Sequence, residues 1–372
     1  MASAIITDAG RLTANLKSVR ENPRQFLGAV AATVAVAVVG VLVLDLPIGL
    51  VIMATVIFGA WRLFDRTRFV LPIFLLVLLI VAPFIIGDQY WLRVIILIGI
   101  YVMLSLGLNV IVGFSGVLDL GFIAFYGIGA YAAALLMVNF GWSFWAVLPV
   151  AVAAGAVAGV LRGWPTLRLS GDYLAIVTLG FGEIVRMTFA NWVSLTNGPM
   201  GIRGIDAPSI FGFSFGFDIA RGGWTGLYFL MLAMVVLTVL VCHRVRRSRV
   251  GRAFLAIREN ETAAACMGVH LSHYKSVAYA VGGGIGGAAG ALFAGFNLFV
   301  SPNSFLFFES AIVLCMVVVG GMGSIAGAIV GAVILGAFPE LLRLVADFRY
   351  LIFGALMVAV AIFRPHGLVR ER

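Results

Sequence analysis

Charge is scarce in this sequence. Only 11% of its 372 residues are Asp, Glu, Lys or Arg, about half of what a soluble domain carries. That deficit excludes an ordinary soluble enzyme. Histidine is rarer still: His243, His270, His273 and His366 are the only four, and each lies outside the apolar runs. Cys242, Cys266 and Cys315 are scattered and have neither disulfide nor metal-ligand spacing. H-E-x-x-H and the Walker A phosphate loop are both missing, so the chain has no means of its own to hydrolyse ATP. No bound cofactor or metal is expected. Gly113-Phe114-Ser115-Gly116 matches the G-x-S-G of rhomboid-type intramembrane proteases. That chemistry needs a histidine base within reach inside the membrane, and every histidine is elsewhere.

What is abundant is apolar sequence, 62% of the chain, with a mean hydropathy of +1.12. Runs near the roughly 20 residues that span a bilayer recur throughout, and the short alternating segments of a β-barrel do not. The fold class expected is all-α: a polytopic membrane protein of about 10–12 transmembrane helices. Spans are expected near 26–44, 46–61, 69–87, 91–112, 120–138, 143–161, 173–190, 225–242, 276–297, 309–320, 325–345 and 350–363. Residues 1–25 are polar and lack a clear cleavage site before Phe26, so the first run reads as an anchor. With the N-terminus inside, 19 of the 25 Lys and Arg fall on inner segments and 5 on outer ones, Arg186 lying within a span. The positive-inside rule then puts both termini in the cytoplasm.

Glycine interrupts the runs in two similar places. Gly113-Phe114-Ser115-Gly116 and Gly320-Gly321-Met322-Gly323-Ser324 stand 207 positions apart, each between an apolar run and a small-residue helix. They read either as a weak two-fold internal repeat lining a path or as two tight turns. The runs 309–320 and 325–345 are two spans, one broken helix or a re-entrant pair. Gly282, Gly286 and Gly290 recur every four residues, and Gly323, Gly327 and Gly331 repeat the spacing. Such stripes let helices approach closely in lipid, for static packing or for gating by sliding. The outer loop 191–224 is a docking surface for an external partner or a connector with an aromatic belt. Glu183 and Arg186 are three apart on one helix and can pair, as a structural pair or a substrate contact. Asp119 and Asp172 sit at expected span ends, where solvation is cheap.

The stretch Arg247–Gly295 joins a basic loop, 243–275, to the glycine-rich run. Within it Asn260 is a good N-cap, Glu261 suits the first turn, Ala263 and Ala264 favour helix, and Gly268 suits the stop. This two-turn helix is flanked by Arg252, Arg258 and Lys275. It is too short to stand alone in water, so it needs the membrane surface or a partner.

Four stretches resemble the LivM-type permease subunit of branched-chain amino acid ABC importers: Gly113–Leu136, Arg168–Ile205, Arg247–Gly295 and Glu309–Leu342. The most specific is Gly171-Asp172-Tyr173-Leu174-Ala175-Ile176-Val177-Thr178-Leu179-Gly180 with Thr196-Asn197-Gly198, closer to the amino acid branch than to the related urea permeases. Together they cover most of residues 90–363, the expected permease core, leaving 1–89 as a peripheral N-terminal part and 364–372 as a cytoplasmic tail. The resemblance implies residence in the bacterial inner membrane and import of aliphatic amino acids. It also implies a second, LivH-like permease, a periplasmic substrate-binding protein, and two ATP-binding subunits that hold ATP and Mg. Glu261-x-Ala263-Ala264…Gly268 is similar to the coupling helix of importer permeases. This makes Arg258, Glu259, Asn260, Glu261, Ala263, Ala264 and Gly268 the expected ATPase contact. No substrate-binding residue is identified. A urea or aromatic amino acid permease and a stand-alone secondary transporter are the alternatives.

Overall fold

The computed structural model describes residues 88–166, 171–210, 213–214 and 224–341, together with 83, 354 and 367–368. The spans expected at 26–44, 46–61, 69–87 and 350–363 lie outside the described residues, single positions apart. The chain divides into two compact units, Met1–Leu92 and Arg93–Arg372, and almost every described residue belongs to the second.

The long helices are α1 (Gln89–Leu108), α2 (Ile123–Phe140), α3 (Phe144–Thr166), α4 (Asp172–Asn191), α6 (Thr225–Arg247) and α9 (Leu271–Asn297). Short ones are α5 (Val193–Thr196), α7 (Arg249–Glu259) and α8 (Glu261–Cys266), and α10 (Phe307–Gly320) and α11 (Ile325–Leu341) follow α9. Seven helical stretches among the described residues are long and apolar enough to cross a membrane, and Ile325–Glu340 is a shorter apolar one. The protein is a multi-pass helical membrane protein, since lipid leaves backbone groups no partner but their own helix.

α9 is the central helix, and its glycines explain why. One stripe, Gly282, Gly286 and Gly290, faces α1 and α2: a methyl group at Gly282 would lie 2.6 Å from Ile111, and one at Gly290 would fall on the Tyr126 carbonyl. A second stripe, Gly283 and Gly287, faces α3, where the added methyls would meet the Gly155 and Ala151 carbonyls. Gly129, Gly155 and Gly159 answer from the other side. Three backbones therefore touch with almost no side chain between them, the geometry small residues permit in lipid.

α10 and α11 form an antiparallel hairpin by the same means. Gly327 packs on Gly320, and Gly331 on Met316. The two late runs are thus separate helices, with a turn at 321–324. Gly323 belongs to that turn, with φ +85°, while Gly327 and Gly331 are in the helix. The expected span at 309–320 begins earlier, because a 3₁₀ turn, Pro302–Phe305, leads into it. Glu309 consequently lies inside a span, where the Tyr101 hydroxyl donates to it at 2.9 Å.

Two further segments differ from expectation. The basic stretch after residue 243 is mostly helical: α6 runs on to Arg247, and α7 follows after Ser248, which caps it by accepting from Gly251 N–H at 3.2 Å. α7 buries Gly251, Ala253, Phe254 and Ile257 on one face, a helical period that the surrounding arginines mask. The 191–224 loop contains α5 and short strands. β1 (Ile202–Arg203) pairs antiparallel with β4 (Phe299–Val300), and β2 (Ser209–Ile210) with β3 (Phe213–Ser214). Thr196 Oγ donates to the Phe189 carbonyl at 2.6 Å and Asn197 Nδ2 to the Gly201 carbonyl at 3.1 Å. The Thr-Asn-Gly run is therefore a compact turn closing the end of α4.

The packing makes a direct prediction. Gly283→Ala forces the α3 and α9 backbones apart and should cost about 1–3 kcal/mol. Gly284→Ala, whose methyl would find its nearest neighbour at 3.5 Å, should leave the thermal stability of the purified protein in detergent unchanged.

Candidate functional site at the basic end of the bundle

The two glycine turns meet at one end of the molecule. α1 continues as a π-helical turn, Asn109–Phe114, which places the Asn109 side chain against the α10–α11 turn. Gly323 N–H donates to Asn109 Oδ1 at 2.8 Å, and Asn109 Nδ2 donates to the Ser324 carbonyl at 3.3 Å. One turn earlier, Ser105 Oγ donates to the Ala328 carbonyl at 3.0 Å. A polar seam thus joins α1 to α11 inside otherwise apolar packing.

Arg258, the penultimate residue of α7, closes this junction. Its Nη1 donates to the Gly113 carbonyl at 2.6 Å, and its guanidinium occupies the space a side chain at Gly323 would need. Gly116, with φ +73°, has the Arg258 backbone and side chain where its own methyl would be, at 3.1 Å. Only glycine fits these places, because each combines a left-handed backbone with a close neighbour. Arg246 lies over the Phe114 ring at 5.8 Å. Leu368 N–H donates to the Val319 carbonyl at 2.9 Å, so the C-terminal residues 367–368 also reach this end.

α8 projects beside the junction. Asn260 caps it by accepting from Ala263 N–H at 2.9 Å. Gly268, with φ +84°, ends it, and Val269 N–H returns to the Ala264 carbonyl at 3.0 Å. Ala264 is buried; Glu259, Asn260, Glu261, Ala263, Cys266 and Gly268 are exposed, and Met267 is 85% exposed. Lys275 Nζ lies 2.8 Å from both Glu261 oxygens, with the lysine almost wholly buried. That ion pair binds α8 to the start of α9. Apart from buried Ala264, the expected contact residues are exposed, tied on one side to the glycine junction through Arg258 and on the other to the central helix through Lys275.

The serine of the G-x-S-G run has a structural bond here: Ser115 Oγ donates to the Ile111 carbonyl at 2.6 Å and is buried.

Comparison with known proteins places this architecture. Residues 90–361 match the family model described as branched-chain amino acid transport system / permease component. The chain belongs to that permease family. It is 44% identical over 317 residues to the high-affinity branched-chain amino acid transport system permease protein LivM of Salmonella typhimurium, covering 80% of this chain and 74% of that one. The LivM of Escherichia coli is also 44% identical, over 79% and 73% of the two chains. The LivH permease of Escherichia coli is 26% identical over 72% and 91%. No solved structure matches significantly.

Within this permease core the structure also corrects one expectation. Asp119 is not solvated at a span end. It is fully buried, paired with Arg162, and accepts from Gly121 N–H at 2.8 Å. The Arg162 guanidinium lies 4.5 Å from the Phe125 ring centre, 4.7 Å from Tyr279 and 5.5 Å from Phe181. One ion pair thus gathers the 115–122 loop, α2, α3, α4 and α9. The loop is drawn inward because the backbones of Gly121 and Thr178 touch, which carries Asp119 away from water. No local pattern signals this partnership across 43 residues. Asn109 left a clearer trace, as a lone amide inside an apolar run.

Removing one member of a buried pair strands the other charge. Asp119→Ala should cost about 3–5 kcal/mol and abolish recovery of detergent-stable protein. The double variant Asp119→Ala with Arg162→Leu should restore much of it, as measured by monodisperse yield on size exclusion.

Proposed function

We propose that this chain is the permease subunit of an ATP-driven importer of branched-chain amino acids. In this reading it pairs with a second, LivH-like permease around the path. A binding protein delivers substrate to the end bearing the 191–224 loop, and two ATP-binding subunits supply the energy at the basic end. The basic end is cytoplasmic by the positive-inside rule. The observation that carries the reading is the family match across the whole described core, supported by the exposed, doubly tethered α8.

The tethers suggest how force enters. A partner pressing on α8 moves Lys275 and α9 together through the Lys275–Glu261 ion pair. It moves α7 with them, and Arg258 on α7 holds the Gly113 carbonyl and abuts Gly323. α9 can shift against α2 and α3 because its contact surfaces are smooth glycine backbone. Each state must offer the partner different contacts for ATP to drive the change. ATP and Mg act on the partner subunits, where they provide that difference.

The test is reconstitution of the whole complex in proteoliposomes. Leucine uptake should require ATP and the binding protein. Glu261→Ala unpairs Lys275, and Gly268→Leu puts a branched side chain at φ +84°. Both should lower uptake at least about tenfold, equivalent to about 1.4 kcal/mol, while the complex still assembles. Normal uptake in both variants, or uptake by this chain alone without ATP, would contradict the proposal.

A further inference from the structure

Among the described residues α4 is the least covered of the helices long enough to span, with 22% of its apolar stretch buried within the chain. It nonetheless carries a charged pair. Arg186 Nε donates to Glu183 Oε1 at 2.9 Å and to Oε2 at 3.0 Å, and Nη2 bonds Oε1 as well. The Glu183 side chain is 37% exposed and that of Arg186 19%. In the 19-residue span Tyr173–Asn191, Glu183 comes about 15 Å along the helix, near the middle of a hydrocarbon layer about 30 Å thick. Beside the pair, Ile176, Ile184 and Met187 are exposed, as is Thr188. A half-exposed carboxylate at that depth is too costly to face lipid, and intramembrane charges face protein or a water-filled cavity.

We infer that this face of α4 lines the translocation path, and that Glu183 and Arg186 receive the ammonium and carboxylate of the amino acid in transit. The inference rests on the importer reading. Its chemistry is complementary at every part. A zwitterion offers one positive and one negative group about a residue's length apart. In the unloaded state the two side chains satisfy each other, and with substrate each exchanges its partner for the substrate's opposite charge. Neither state leaves net charge at the site. The neighbouring Ile184 and Met187 supply an apolar surface for an aliphatic side chain. Recognition is thus of the zwitterion backbone, with side-chain selectivity left to the apolar neighbours.

Two variants in the reconstituted importer test this. The charge exchange Glu183→Arg with Arg186→Glu keeps an ion pair but reverses its direction along the path. It should leave assembly and ATP hydrolysis stimulated by the binding protein intact and reduce leucine uptake at least about tenfold. Ile184→Cys should react with a membrane-impermeant, charged methanethiosulfonate, and leucine with ATP should slow that labelling. Full uptake by the exchanged pair overturns the inference. So does an Ile184→Cys that the charged reagent never labels, whether or not the exchanged variant assembles. A wild-type complex that takes up no leucine instead overturns the importer reading, and labelling of Ile184→Cys in that complex still decides whether this face is wet.

Discussion

Backbone contact through glycine is the constraint on which the rest of the structure depends. Lipid tails are as apolar as the side chains they surround, so hydrophobicity alone gives these helices no reason to associate. Close approach supplies that reason. Gly283 against Gly155, Gly287 against Ala151, Gly290 against Tyr126 and Gly327 against Gly320 bring polypeptide backbones together and gain dispersion along their whole length. The same surfaces have no interlocking side chains to hold them in one register. A core packed on backbone can be tight and still slide.

The polar contacts lie where sliding must be directed. Asn109 and Ser105 fix α1 to α11, the Asp119–Arg162 pair gathers four helices, and Lys275–Glu261 fastens α8 to α9. The first two join elements distant in sequence, and the third joins consecutive helices. Arg258 is the point where the basic helices meet both glycine turns. In the proposed importer this gives a short mechanical route from an exposed two-turn helix to the centre of the membrane domain, with two connections in parallel. Loss of either would leave the other, and coordinated movement needs both.

The sequence and the structure agree most closely where the information is local. The cap at Asn260, the stop at Gly268 and the glycine stripes on α9 depend on residues within a turn or two of one another, and composition shows them. The α7 helix was hidden because its arginines outweigh the four buried positions that give the helical period. The Asp119–Arg162 partnership and the bonds from Asn109 to Gly323 and Ser324 span 43 to 215 residues. They follow from helix arrangement, which no local pattern encodes. The start of the 309–320 span shifts outward for a related reason: a 3₁₀ turn at Pro302–Phe305 extends it, which puts Glu309 inside it and not at its edge.

In the proposed importer α8 is the surface on which an ATP-binding subunit acts. Met267, 85% exposed beside the end of α8, is the position from which to ask. A photocrosslinking amino acid placed there in the assembled complex, in its native membrane, should link this chain to the ATP-binding subunit on illumination. Links confined to lipid or to a second copy of this chain, in a complex shown to be intact, would contradict that role for α8.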